Sequence, residues 1–238
     1  MGTTDIKMNR ILLKLSGEAL AGDKKTGFDE ETVREVAAQV KTIVDKGTQV
    51  SVVIGGGNFW RGRTSGDMDR VKADQIGMLA TVMNCVYTAD MFRQVGMKTH
   101  VMTPLVCGNV TELFSKDKAV EYLEKGEVVF FAGGTGHPYF STDTCSALRA
   151  LETKCEVILM AKNGVDGVYD SDPRKNKNAV KYDEITYQEV IEKDLQVMDQ
   201  TATSLCKDNS MPLIVFNMNE KGNIYKACCG QINGTLVK

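Results

Sequence analysis

The chain has 238 residues, enough for one large α/β domain or two small ones with a real buried core. Its 29 basic and 31 acidic residues nearly cancel, so no broad cationic surface for nucleic acid is expected. The apolar fraction of 42% and charged fraction of 25% are ordinary for a globular protein, and no apolar run approaches the roughly 18 residues of a membrane span.

Met1 to Asp5 lack the apolar stretch of a signal peptide. The opening Met-Gly is not followed by a myristoylation motif, because Ile6 stands where Ser or Thr is needed. Seven cysteines are scattered without a C-x-x-C pair and only two histidines, His100 and His137, accompany them, so no protein-held metal site is expected. Buried free thiols in a reducing cytoplasm are the plain expectation. Residues 1–7 read as a short N-terminal extension and residues 8–238 as a single domain.

Ile11-Leu12-Leu13 opens the first predicted strand. A helix follows, with Val33, Val36, Ala37, Val40, Ile43 and Val44 at helical spacing, acidic residues at its start and Lys46-Gly47 at its end. Val50–Ile54 is the second strand. A longer helix is predicted over Asp74–Val95, turning Ile76, Leu79, Met83, Val86, Phe92 and Val95 inward. Further strands are expected at Thr99–Met102, Val128–Ala132, Val157–Ala161 and Leu213–Phe216. Helices are expected at Lys116–Lys125, Thr142–Lys154, Tyr187–Lys193 and Met198–Asn209. Near-continuous apolar strands alternating with helices predict an α/β three-layer sandwich around a mostly parallel central sheet.

In such a sheet ligands sit beyond the carboxyl ends of the strands, and four of those ends carry unusual residues. Lys14-Leu15-Ser16-Gly17 sets a cation beside a small, flexible turn; alone, a strand-end lysine is more often solvated. Gly55-Gly56-Gly57-Asn58 is followed by Arg61, and three glycines let the backbone approach a phosphate closely. Gly133-Gly134-Thr135-Gly136 runs into hydroxyls and Asp143 at a helix start, where Ser141 or Thr142 also suits a plain N-cap. Asn163-Gly164-Val165-Asp166-Gly167-Val168-Tyr169, with Asp172 beyond it, reads either as a turn or as an adenine and ribose pocket. Neither a P-loop nor a dinucleotide-binding G-x-G-x-x-G is present. These residues support phosphate binding at several glycine loops; they do not name a substrate.

Taken in order, the motifs resemble the amino acid kinase superfamily, and most closely its bacterial uridylate kinase branch. The matching stretches are RILLKLSGEAL from Arg10, VVIGGGNFWRG from Val52, GMLATVMN from Gly77, GGTGHPYFSTD from Gly133, VDGVYDSDP from Val165 and VFNMN from Val215. The resemblance implies a kinase that moves the γ-phosphoryl group of ATP onto UMP. It implies that Lys14, Leu15, Ser16 and Gly17 lie along the ATP phosphates, with Lys14 the cation of the transition state. Gly57 and Arg61 match contacts on the ATP side, and Asn163, Tyr169 and Asp172 match the adenosine pocket. On the UMP side it implies Gly56, then Asp74 for nucleotide hydroxyls, and the wrapping loop Thr135, Gly136, His137, Pro138, Tyr139, Phe140, Ser141 and Thr142. Asp143 matches the aspartate that holds catalytic lysines in place.

Such a reaction works by positioning and charge neutralisation, with Mg²⁺ bound mainly through the ATP phosphates. The resemblance further implies a homohexamer, inhibition by UTP, and GTP activation tied in some relatives to the region of Gly22–Gly27. Met160 departs from the pattern: other members carry a lysine there, and Lys162 is the nearest substitute. Two other readings stay open on the residues, a superfamily kinase acting on a carboxylate or carbamate and a nucleotide-binding regulator without activity.

Overall fold

Arg10–Leu15 forms the middle strand of a nine-stranded sheet in the computed structural model. The structure describes residues 2–3, 6, 8–61 and 66–238. Met1, Thr4, Asp5 and Lys7 of the expected extension, and Gly62 of the second glycine motif, lie outside the described residues.

In chain order the first elements are β1 (Gly2–Thr3), β2 (Arg10–Leu15), α1 (Gly17–Leu20), α2 (Glu30–Val44), β3 (Gln49–Ile54) and α3 (Arg70–Gln94). Next come β4 (Thr99–Thr103), β5 (Glu112–Leu113), α4 (Lys116–Glu124), β6 (Val128–Phe131), α5 (Thr142–Glu152) and β7 (Val157–Lys162). A short antiparallel pair, β8 (Val168–Tyr169) and β9 (Lys181–Tyr182), precedes β10 (Glu184–Ile185), α6 (Tyr187–Glu192) and α7 (Gln200–Asp208). The chain closes with β11 (Leu213–Asn217), α8 (Asn223–Cys228), β12 (Gln231–Ile232) and β13 (Gly234–Val237).

The sheet order is β10-β13-β11-β7-β2-β3-β6-β4-β5, parallel throughout except where β13 runs antiparallel to β11. Side chains alternate across β2, so Ile11, Leu13 and Leu15 enter one core while Leu12 enters the other. Helices α2, α3 and α8 cover the first face; α4, α5, α6 and α7 cover the second. Each large aliphatic side chain sealed this way contributes about 1.5–3 kcal/mol. The expected three-layer α/β sandwich is what forms. No helix among the described residues is long and apolar enough to cross a membrane.

The long helix departs from its prediction in two ways. It begins at Arg70, because Asp69 caps it by accepting a 3.1 Å hydrogen bond from the Lys72 N–H, so Asp74 sits in the second turn. Its buried face is also different: Leu79 and Met83 are exposed, while Ala73, Ala80, Cys85, Ala89 and Phe92 face the core. The small residues on that face admit close backbone approach. A Cβ on Gly56 would stand 3.1 Å from the Ala80 methyl and 3.0 Å from the Gly77 carbonyl.

Candidate active site

Around β2 the strand order reverses, with β3 and β6 to one side and β7 and β11 to the other. A crevice opens at the carboxyl ends beside such a switch point. Lys14, at the end of β2, reaches it and pairs with Asp143, Nζ to Oδ1 2.9 Å, both side chains largely buried. Asp143 is in the first turn of α5, where a negative charge is favoured. Ser141 caps that helix, its hydroxyl oxygen accepting from the N–H groups of Asp143 (3.0 Å) and Thr144 (3.2 Å). A cap of this kind contributes about 1 kcal/mol.

Met160 is paired in register with Lys14 on the same face of the sheet, but its side chain is sealed in the core beneath α5 and carries no charge. Lys162, two residues on, donates 2.7 Å to the Val197 carbonyl. Burial pushes its ammonium below the ordinary lysine range; the Asp143 carboxylate opposes that shift and the Lys14 charge adds to it. Lys162 thus shares the electrostatic field of the central pair.

Gly56, Asp74, Thr135, Phe140, Ser141 and Thr142 line a cavity of about 170 Å³ together with Trp60, Gly77 and Thr81. Trp60 is fixed there by donating 2.8 Å to the Ala73 carbonyl. Asp74 accepts from Arg70, with Nε 2.9 Å from both oxygens, and from the Tyr139 N–H at 2.8 Å. The bond from Tyr139 ties its loop to α3. Gly136, His137, Pro138 and Tyr139 stand outside the cavity lining. Tyr139 holds φ at 71° and is two-thirds exposed, its ring beneath the Arg70 guanidinium at 5.4 Å.

On the other side, Arg61 pairs with Glu18 of α1, and a Cβ on Gly57 would approach Glu18 Oε1 to 3.1 Å. Ser16 precedes α1 in an extended conformation. The Leu15 side chain is fully buried in the core, so only its backbone is offered to a ligand. Tyr169 and Asp172 line a cavity of about 460 Å³ with Arg174, Lys193 and Leu195. The Tyr169 hydroxyl donates to Asp166 at 2.6 Å, and that bond, helped by burial, pushes the phenol up to about 12. Asn163 lies in a different cavity, of about 370 Å³, beside Glu18 and Gln39, and accepts from Asn219 at 2.8 Å. The residues expected around adenosine therefore line two different cavities, Asn163 in one and Tyr169 with Asp172 in the other.

Several site residues were not singled out in the sequence. Asp199 accepts from the hydroxyls of Ser141 and Thr144, the latter at 3.0 Å, and from the Ala202 N–H at 3.0 Å, which anchors α5 to α7. Its only local signal is its place as the N-cap of α7. Glu18, Trp60 and Asp166 lay inside the quoted motifs without being given a role, and Arg70 had no periodicity or spacing to mark it.

Phosphoryl transfer asks a protein for placed cations and close backbone donors more than for covalent chemistry. The cleft supplies both, and fold and site together define an ATP-dependent kinase. The model of the amino acid kinase family matches residues 9–217, and the chain belongs to that family. It is 53% identical to a uridylate kinase of Oenococcus oeni over 99% of this chain and 98% of the relative. A uridylate kinase of Limosilactobacillus reuteri is 51% identical, with 98% of each chain covered. Among solved structures, the UMP kinase of Bacillus anthracis superposes with a TM-score of 0.93 at 40% identity, covering 97% of this chain and 96% of that one. The uridylate kinase of Archaeoglobus fulgidus gives a TM-score of 0.72 at 27% identity, over 96% and 99%.

Proposed function

We propose that the chain is a UMP kinase, transferring the γ-phosphoryl group of ATP to UMP to give UDP and ADP. The observation that carries the residue assignment is the Lys14–Asp143 pair at the switch point, with the cavity of Gly56, Asp74 and Thr142 for the acceptor. The full-length likeness to uridylate kinases supports the same substrates. A UMP phosphate oxygen attacks the γ-phosphorus, the bond to the β,γ-bridging oxygen breaks, and ADP leaves. The acceptor phosphate is already ionised, so no strong general base is required. Lys14 offsets charge on the transferring oxygens, Asp143 orients it, and Arg61 is the cation on the ATP side.

The carboxylates at the phosphate loops, Asp143 and Glu18, are already matched with Lys14 and Arg61. That donor set fits a Mg²⁺ carried mainly by the ATP oxygens, where it would neutralise phosphate charge. Tyr169, Asp172 and Asn163 are assigned to adenosine, and Asp74 with the Thr135–Thr142 loop to UMP. The same loop would take UTP, which shares its uracil, ribose and first phosphate with UMP, as a competitive inhibitor, and the turn at Gly22–Lys24 belongs to the region assigned to GTP. A single domain over residues 8–238, a cytoplasmic location and a homohexamer complete the reading; the exposed Leu79 and Met83 on α3 support contact between copies. An ADP-release assay offered UMP, CMP, glutamate and carbamate tests it. UMP should be the preferred acceptor, and turnover of glutamate or carbamate instead would overturn the assignment.

A further inference from the structure

Asn58 and Asn84 are both buried, with exposures of 2% and 0%, and their carboxamides bond to each other twice. Asn58 Nδ2 donates 2.9 Å to Asn84 Oδ1, and Asn84 Nδ2 donates 2.8 Å to Asn58 Oδ1. Each amide spends its second N–H on a loop carbonyl: Asn84 on Gly55 at 2.7 Å, Asn58 on Gly27 at 2.8 Å. All four donors of the pair are thereby used. Gly17 packs directly against it. A Cβ there would fall 2.2 Å from the Gly55 oxygen, 2.6 Å from Asn58 Oδ1 and 3.0 Å from Asn84 Nδ2.

One consequence concerns the peptide between Gly55 and Gly56. In a trans peptide the carbonyl and the following N–H point to opposite sides. With the Gly55 carbonyl held by Asn84 on α3, the Gly56 N–H is turned away from the pair, and Gly56 lines the acceptor cavity. Three glycines would otherwise leave that plane free to rotate.

We infer that the Asn58–Asn84 amide pair is a positioning element for the reaction, with Asn84 setting the Gly55–Gly56 peptide plane against the Lys14–Gly17 segment. The inference rests on the kinase reading. Buried amides that only glued loops together would affect folding and leave the turnover of folded molecules alone. A positioning role instead distinguishes the two asparagines, since only Asn84 holds the Gly55 carbonyl.

Asn84→Asp keeps the shape and the acceptor but removes both donors, setting a carboxylate against two oxygens. At pH 8 its kcat, per folded molecule, should fall about 10- to 100-fold, the scale of a misplaced reacting group. Asn58→Asp also loses two donated bonds but keeps the Gly55 anchor, so its kcat should fall much less at a similar loss of melting temperature. Burial and neighbouring acceptors raise the pKa of a carboxyl. Acidification toward pH 6 should therefore protonate the one introduced by Asn84→Asp, restore a donor, and bring kcat back toward wild type. Amide hydrogen exchange should be faster across Gly55–Gly57 in Asn84→Asp than in Asn58→Asp. Should Asn84→Asp not fold, Asn84→Ser is expected to show the same kcat loss and exchange difference without the pH recovery. Equal kcat losses in the two positions, or wild-type kcat in both, would overturn the inference. Wild-type enzyme inactive on UMP would overturn the kinase reading alone, while the exchange comparison would still judge the amide pair.

Discussion

The ammonium of Lys14 and the carboxylate of Asp143 lie 2.9 Å apart, tying the end of β2 to the first turn of α5. In the proposed assignment the pair would place a cation where charge develops during transfer, with the carboxylate holding that cation in the cleft.

Lys14→Met should lower kcat by about 10²- to 10³-fold, the scale of one lost electrostatic donor, while the KM for UMP changes little. Steady-state kinetics on the variant decide this. A normal kcat with a raised UMP KM would remove Lys14 from the role assigned to it.

Asp74 and Asp172 line separate cavities. Asp74→Ala should weaken UMP binding about 10-fold or more, the scale of losing a hydrogen bond to a charged group, and leave ATP nearly unchanged. Asp172→Ala should do the reverse. Calorimetric titration of each variant with each nucleotide is the measurement, and loss of the same ligand in both would collapse the two-site assignment.

His100 bridges two carboxylates at the far side of the sheet, Nδ1 3.0 Å from Glu112 and Nε2 2.8 Å from Glu127, with its ring stacked on Tyr122. Burial acts to raise the carboxyl groups of both glutamates, but the hydrogen bonds from His100 oppose it, aided at Glu112 by Tyr122 and at Glu127 by Lys98, and each ends below its ordinary value. The resulting stability is present above the unfolded carboxyl value of about 4.3 and is lost as pH falls through the lower folded values. His100→Ala should therefore destabilise the fold at pH 7, by about 1 kcal/mol or less once solvent screening of these part-exposed groups is allowed for, and its deficit against wild type should shrink once the pH drops below about 4. Urea melts of both proteins across that range test the sign; a deficit that does not change with pH would show that hydrogen bonding to the two carboxylates is not its source.

Much of the architecture was legible in local pattern. The apolar runs at Ile11–Leu13 and Val50–Ile54 announced buried parallel strands because both their faces must avoid water, and glycine clusters marked the loops that follow strands. Helix α2 was equally plain from its single apolar stripe. Where a helix packs on more than one partner, the stripe misleads: α3 turns Leu79 and Met83 outward, meets the Gly56 loop with the small Gly77 and Ala80, and packs Phe92 against Phe130 of the sheet.

The sequence by itself determined the layers, the strand tips and the residue types offered at each tip, since these follow from alternation, helical period and the backbone freedom of glycine. Tertiary structure alone decided which of them meet. Lys14 finds Asp143, Ser141 finds Asp199, and Asn58 closes on Asn84 across intervals in which no local spacing applies. Met160 and Lys162 show the same division at two residues' distance. Both side chains leave the same face of the strand; Met160 lies deep enough to be sealed in the core, while the end of the strand gives Lys162 the Val197 carbonyl and the field of Asp143. A side chain's direction depends on the register of neighbouring strands, and its charge on what is buried beside it, and both are properties of the folded sheet.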